Sequence, residues 1–185
     1  MGCNSLKSTK SVHEKNKSGE TSLTIVQLGD SISVSPDMNE VELKSAPFQL
    51  VFNTKGTNQV FVNAALEPTS YNKVINGKQS ELSCFFSAQT FSEYAKNKDL
   101  EILVVDTTND GYHCMFGHSI DEQFIRFDQG HKLKEKRWIG VRTVNTLNVL
   151  RKKEVKMEHA SGTIFYLVYS PGQEKDGEAI KVTVR

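Results

Sequence analysis

At 185 residues the chain has the length of one domain with room for a tail, enough polymer to bury a core without disulfide staples. Lys and Arg total 23 against 22 Asp and Glu, so a formal charge of +1 gives no general attraction to nucleic acid. Hydrophobic residues make up 37% and charged residues 24%, ordinary for a globular chain, and no run approaches the ~18 apolar residues that a bilayer-spanning helix needs.

The first stretch, Met1-Gly2-Cys3-Asn4-Ser5-Leu6, is followed by the polar segment STKSVHEKNKSGET over Ser8 to Thr21. Such a composition buries too little apolar surface to fold, so residues 1–21 are expected to be a tether and residues 22–185 the domain. Gly2-Cys3-Asn4-Ser5 resembles the end of a bacterial lipobox, where a small residue precedes the cysteine that is diacylated after signal-peptide cleavage. The resemblance implies a lipidated Cys3, Met1 in place of a removed signal peptide, and a place in the bacterial cell envelope facing the periplasm. Two other readings stay open. Met-Gly-Cys also begins proteins with myristate on the glycine and palmitate on the cysteine, although that motif wants Ser or Thr where this chain has Leu6. The same residues also fit an ordinary cytosolic start with an incidental cysteine.

Ser22 to Leu28 predicts a first strand ending at Gly29-Asp30; Ser31 to Pro36 is a short one broken by Pro36, and Val41 to Leu43 begins an edge. In Phe48 to Leu66, apolar residues alternate on both sides of a polar turn containing Gly56, which predicts a β-hairpin with one face in a core. Pro68-Thr69-Ser70 reads as a break and Asn76-Gly77 as a turn, before a strand at Leu82 to Phe86. Thr90 with Glu93 three places on fits a capping box, predicting a short helix over Thr90 to Lys98.

Leu100 to Val105 is apolar enough for a central strand, and Tyr112 to His118, Phe124 to Asp128 and Trp138 to Val144 follow as strands. Val149 to Lys156 fits helix or strand. Thr163 to Tyr169 is apolar on both faces, with Phe165 and Leu167 on one side and Ile164, Tyr166 and Val168 on the other, so it is the best central strand. Ala179 to Arg185 closes the chain. About nine or ten short strands with one short helix predict a mainly-β domain, an antiparallel β-sandwich.

Chemistry is sparse. Gly29-Asp30-Ser31 within VQLGDSIS resembles the first block of the GDSL hydrolases, and Asp110-Gly111-Tyr112-His113 matches their Asp-x-x-His. The resemblance implies Ser31 as nucleophile, His113 as its base and Asp110 as the orienting carboxylate. The chain departs from that pattern: residues 114–185 follow a motif that belongs near the C-terminus, the Gly-x-Asn-Asp block is missing with Thr107 at its glycine, and the family is helix-rich. Ordinary β-turns use the same residue types.

His113, Cys114 and His118 supply at most two metal ligands on one face, and no metal or other cofactor is expected. Cys84 and Cys114 fit either a disulfide in an oxidising periplasm or two unpaired core residues. Lys132, Lys134, Lys136 and Arg137 form one basic cluster, and Arg151, Lys152, Lys153 and Lys156 a second. Without interleaved aromatic residues they read as solvated surface, or as a face towards anionic lipid or an acidic partner, rather than a nucleic-acid site.

The leading expectation is therefore a membrane-anchored module whose partner is a protein, with an immunity or inhibitor protein against a delivered toxin ahead of a secretion-machine assembly lipoprotein. The alternatives are the serine hydrolase and a small-ligand carrier lined by Phe85, Phe86, Tyr166 and Tyr169.

Overall fold

The computed structural model describes residues 21–56, 59–78, 83–85, 101–105, 111–113, 118–119, 129–149, 153–171 and 177–185. In chain order the strands are β1 (Thr21–Gln27), β2 (Asp30–Val34), β3 (Glu40–Leu43), β4 (Phe48–Lys55), β5 (Gln59–Ala65), β6 (Ser83–Phe85), β7 (Ile102–Val105) and β8 (Gly111–His113). They continue as β9 (His118–Ser119), β10 (Gln129–Leu133), β11 (Arg137–Val144), β12 (Thr146–Val149), β13 (Lys153–Lys156), β14 (Ile164–Pro171) and β15 (Glu178–Val184). Among the described residues one α-helix, α1 (Thr69–Ile75), lies between β5 and β6. The domain is mainly β, as expected.

Two five-stranded sheets form the body, ordered β10-β11-β4-β1-β2 and β3-β15-β14-β5-β9. Their alternating apolar residues meet in one cluster. Leu23, Ile25, Phe48, Leu50 and Phe52 come from the first sheet, and Phe165, Leu167, Tyr169, Ile180, Val182 and Val184 from the second. Phe48 stacks on Phe165 with ring centroids 6.5 Å apart, and Phe52 meets Tyr169 edge-on at 5.7 Å. Each such side chain removed from water stabilises the sandwich by about 1.5–3 kcal/mol. β14 occupies the middle of its sheet with Phe165 and Leu167 facing the core, as its two-faced apolar run predicts.

The Phe48–Leu66 hairpin is a correction. β4 pairs with β1 and β11, whereas β5 pairs with β14 and β9, so the two strands belong to opposite layers. Alternation states which face a strand buries, not which strand it pairs with, and an arch across the core satisfies the same pattern. Gly56 leaves β4 at φ +84°, and its N–H donates to the Lys136 carbonyl at 2.8 Å.

Pairing is not uniformly antiparallel either: β15–β3, β12–β7 and β6–β8 run parallel. β7 ends its three-stranded sheet rather than centring it, yet all four of its residues are buried. The predicted single strand Tyr112 to His118 is two, β8 pairing with β6 and β9 with β5. Val149 to Lys156 resolves as strand, its described residues falling in β12 and β13. The helix expected over Thr90 to Lys98 and the strand expected over Phe124 to Asp128 lie outside the described residues.

α1 stands where a break was expected. Pro68 occupies its N-cap, a place that needs no N–H from proline. Its other end closes at Gly77 (φ +71°), whose N–H reaches the Val74 carbonyl at 3.0 Å while Lys78 N–H reaches that of Lys73 at 2.7 Å. Tyr71 and Val74 pack on Val168, covering the outer face of the second sheet.

Candidate functional site

Those of the residues singled out for chemistry that are described fall on separate elements. Leu28 (φ +53°) and Gly29 (φ +88°) form the two-residue turn of the β1–β2 hairpin, a mirror-image type I turn. Ser31 therefore sits on an exposed edge strand as the second residue of β2. Asp110 lies outside the described residues, and His113 belongs to β8.

His118 is on β9, in a different sheet from His113, and Cys114 lies outside the described residues. Among the described residues no group of three His, Cys, Asp or Glu comes together as a metal site. Cys84 is on β6; its candidate disulfide partner Cys114, and Cys3, lie outside the described residues. Tyr166 and Tyr169 do not line one cavity. Tyr169 points into the core, 1% exposed, whereas Tyr166 lies on the opposite face with its ring 5.1 Å from Tyr71. Of the other two proposed lining residues, Phe85 is on β6 and Phe86 lies outside the described residues.

The basic clusters are better placed. Lys132, Lys134, Lys136 and Arg137 are all exposed at the tip of the β10–β11 hairpin. Lys153 and Lys156 are exposed on β13, with Arg151 and Lys152 outside the described residues. Lys156 pairs with Thr146, beyond Val144, so the length of β11, about 24 Å by strand geometry, separates it from Arg137. Lys156 and the first cluster therefore lie well apart.

At the first cluster the geometry is specific. Leu133 pairs with Arg137 around a three-residue turn in which Glu135 (φ +59°) and Lys136 (φ +54°) both hold left-handed backbone. Neither is glycine, so the tip is strained, and the Gly56 N–H bond to Lys136 fastens it to the β4–β5 arch. Lys132 lies across from Trp138 on the same face, its Nζ 5.9 Å from the indole centroid. Trp138 is 9% exposed, and its Nε1 has no hydrogen-bond partner among the described residues. Thr54 of β4 pairs with Trp138, and Lys55, also exposed, with Arg137.

Three polar contacts escaped the sequence reading. Arg142 shares the core-facing side of β11 with Trp138 and Val144, 9% exposed, and its Nη2 donates to the Ile102 carbonyl at 2.6 Å. Tyr169 donates its hydroxyl to Glu178 Oε2 at 2.7 Å. Burial first, then the charge and hydrogen bond of Glu178, holds that phenol well above the usual tyrosine range. The Gln27 side chain spans the layers: its amide donates to the carbonyls of Lys44 (3.0 Å) and Ala46 (2.8 Å) and accepts from Lys44 N–H (2.8 Å). The period-two phase of Trp138 to Val144 already put Arg142 on the buried face; the partners of Tyr169 and Gln27 left no such signal.

The chain matches no protein-family model, no curated protein and no solved structure.

Proposed function

We propose that this protein is a lipid-anchored binding module of a bacterial cell envelope, facing the periplasm and held through Cys3, with a protein as its partner. Gly2-Cys3-Asn4-Ser5 carries the reading, with the polar residues 8–20 as tether to a sandwich whose first strand starts at Thr21. Acting as an immunity or inhibitor protein against a delivered toxin is the role we favour within it, because a rigid two-layer body with an exposed anchor residue is all that such binding needs. Leu28, 64% exposed at the β1–β2 turn and held in left-handed backbone, is the most exposed large apolar residue among those described and supplies such an anchor.

Mass spectrometry of the protein from its own cells tests the anchor. Acyl chains on Cys3, and release of Cys3→Ala into the soluble fraction, are expected; a bare Cys3 in the cytosol would refute the reading. The immunity role predicts that cells producing the protein withstand a toxin-delivering neighbour and that toxin and protein purify as a stoichiometric complex. Unaltered killing would remove that role.

A further inference from the structure

We propose that the basic end of the sandwich rests on the anionic phospholipid surface from which the chain is tethered; this rests on the Cys3 anchor of the reading above. The register of the first sheet supports it. Thr21 pairs with Thr54, Thr54 with Trp138, and Trp138 with Lys132, so the point where the chain enters β1 lies in one row with the base of the basic hairpin. Neighbouring strands are about 4.8 Å apart, which puts Thr21 within roughly 10–15 Å of Trp138 and Lys132. Lys55, Lys132, Lys134, Lys136 and Arg137 are exposed at this end, with Glu135 the one carboxylate in the turn.

Residues 4–20 separate Cys3 from that row, so an anchored Cys3 lies at most ~60 Å from it along the chain. An anchored Cys3 therefore holds the basic end at an effective concentration of millimolar order beside the membrane, free to come within the ~8–10 Å over which salt leaves charges unscreened. A free acidic protein has no comparable tie to this end. Each Lys or Arg at an anionic surface strengthens attachment by roughly fivefold, so weak contacts multiply once the tether has brought them near.

The test uses the full chain without acylation, so that it reads the surface and not the anchor. Vesicles of phosphatidylglycerol mixed with phosphatidylcholine are compared with phosphatidylcholine alone by co-sedimentation at low salt. The indole of Trp138, the chain's one tryptophan, also transfers energy to a dansyl-labelled headgroup. Preferential binding to the anionic vesicles is expected, falling more than about tenfold in K132E/K134E/K136E/R137E and at high salt. K153E/K156E, on the distant β13, is expected to bind like wild type. Circular dichroism and the melting temperature establish that each variant is folded, and K134E/K136E, confined to the turn, is a milder second variant expected to lose part of the binding. Equal binding to both vesicle types overturns the proposal. So does vesicle binding unaltered in the folded four-fold variant, including the case in which that variant loses a protein partner instead. Acylation of Cys3 is read separately by mass, so a failed anchor and a failed surface give different results.

Discussion

Replacing Tyr169 by phenylalanine tests how the second layer is locked at its β14–β15 register. The residue is 1% exposed, its ring meets Phe52, and its hydroxyl donates to Glu178 at 2.7 Å. Y169F keeps the ring and removes only the hydroxyl. A hydrogen bond to a charged acceptor contributes about 1.5–3 kcal/mol net, so a loss near 2 kcal/mol is expected at neutral pH. In a chain of this size each kcal/mol moves Tm by about 2–4 °C, giving a drop of roughly 4–8 °C.

The pH dependence separates this bond from a packing defect. In the unfolded chain the phenol ionises near pH 10, whereas burial and the Glu178 carboxylate keep it protonated in the folded one. The raised folded pKa means that the stability Tyr169 supplies is fully present below about pH 10 and is lost as pH rises beyond it. One proton gives a slope of about 1.4 kcal/mol per pH unit, so the gap between wild type and Y169F closes between roughly pH 10 and 12. The other tyrosines are common to both proteins and cancel in the difference. Urea unfolding followed by circular dichroism, at neutral pH and in steps from about pH 9 upwards, measures it. Equal stabilities at neutral pH, or a gap that stays constant through the alkaline range, would refute the reasoning.

Leu28→Asn relieves a left-handed leucine in a turn that favours Asn-Gly, and is expected to stabilise by about 1 kcal/mol. A lower Tm would sink the strain argument, and loss of partner binding alongside a higher Tm would identify Leu28 as an anchor. Gln27→Ala removes all three bonds to the Lys44–Ala46 crossover; because two of them are exposed, a loss of only about 1–2 kcal/mol in urea is expected. Gly77→Ala meets no atom within 4 Å, so its expected cost of about 1 kcal/mol is conformational, and a neutral result would contradict the φ of +71°.

What the sequence made legible follows from what alternation encodes. It located Thr21–Gln27, Arg137–Val144 and Ile164–Pro171 within a residue or two and assigned both faces of β14, because each buries a defined set of apolar side chains. It could not say that β4 and β5 lie in opposite layers, since facing strands and paired strands share one pattern. α1 was hidden by its length: seven residues carry too little periodicity to outweigh a preceding Pro68. Its Asn76-Gly77 was visible, read as a turn when it was the end of a helix.

The candidate site was visible only as a string of charges. Lys132 to Arg137 reads the same whether it sits at the middle of a sandwich or at one end, and only the register across β1, β4, β11 and β10 places it beside Thr21. The same register sends Leu28 just past the far end of β1, seven residues and about 23 Å from Thr21. A body with its entry point and cations at one end and the most exposed described leucine at the other has a direction, and the proposed Cys3 tether would fix which end can meet lipid. If the chain is anchored at Cys3 as proposed, the proposed protein partner would approach the Leu28 end. Charge reversal at the hairpin and L28N should then fail in different assays, the first against vesicles and the second against the partner.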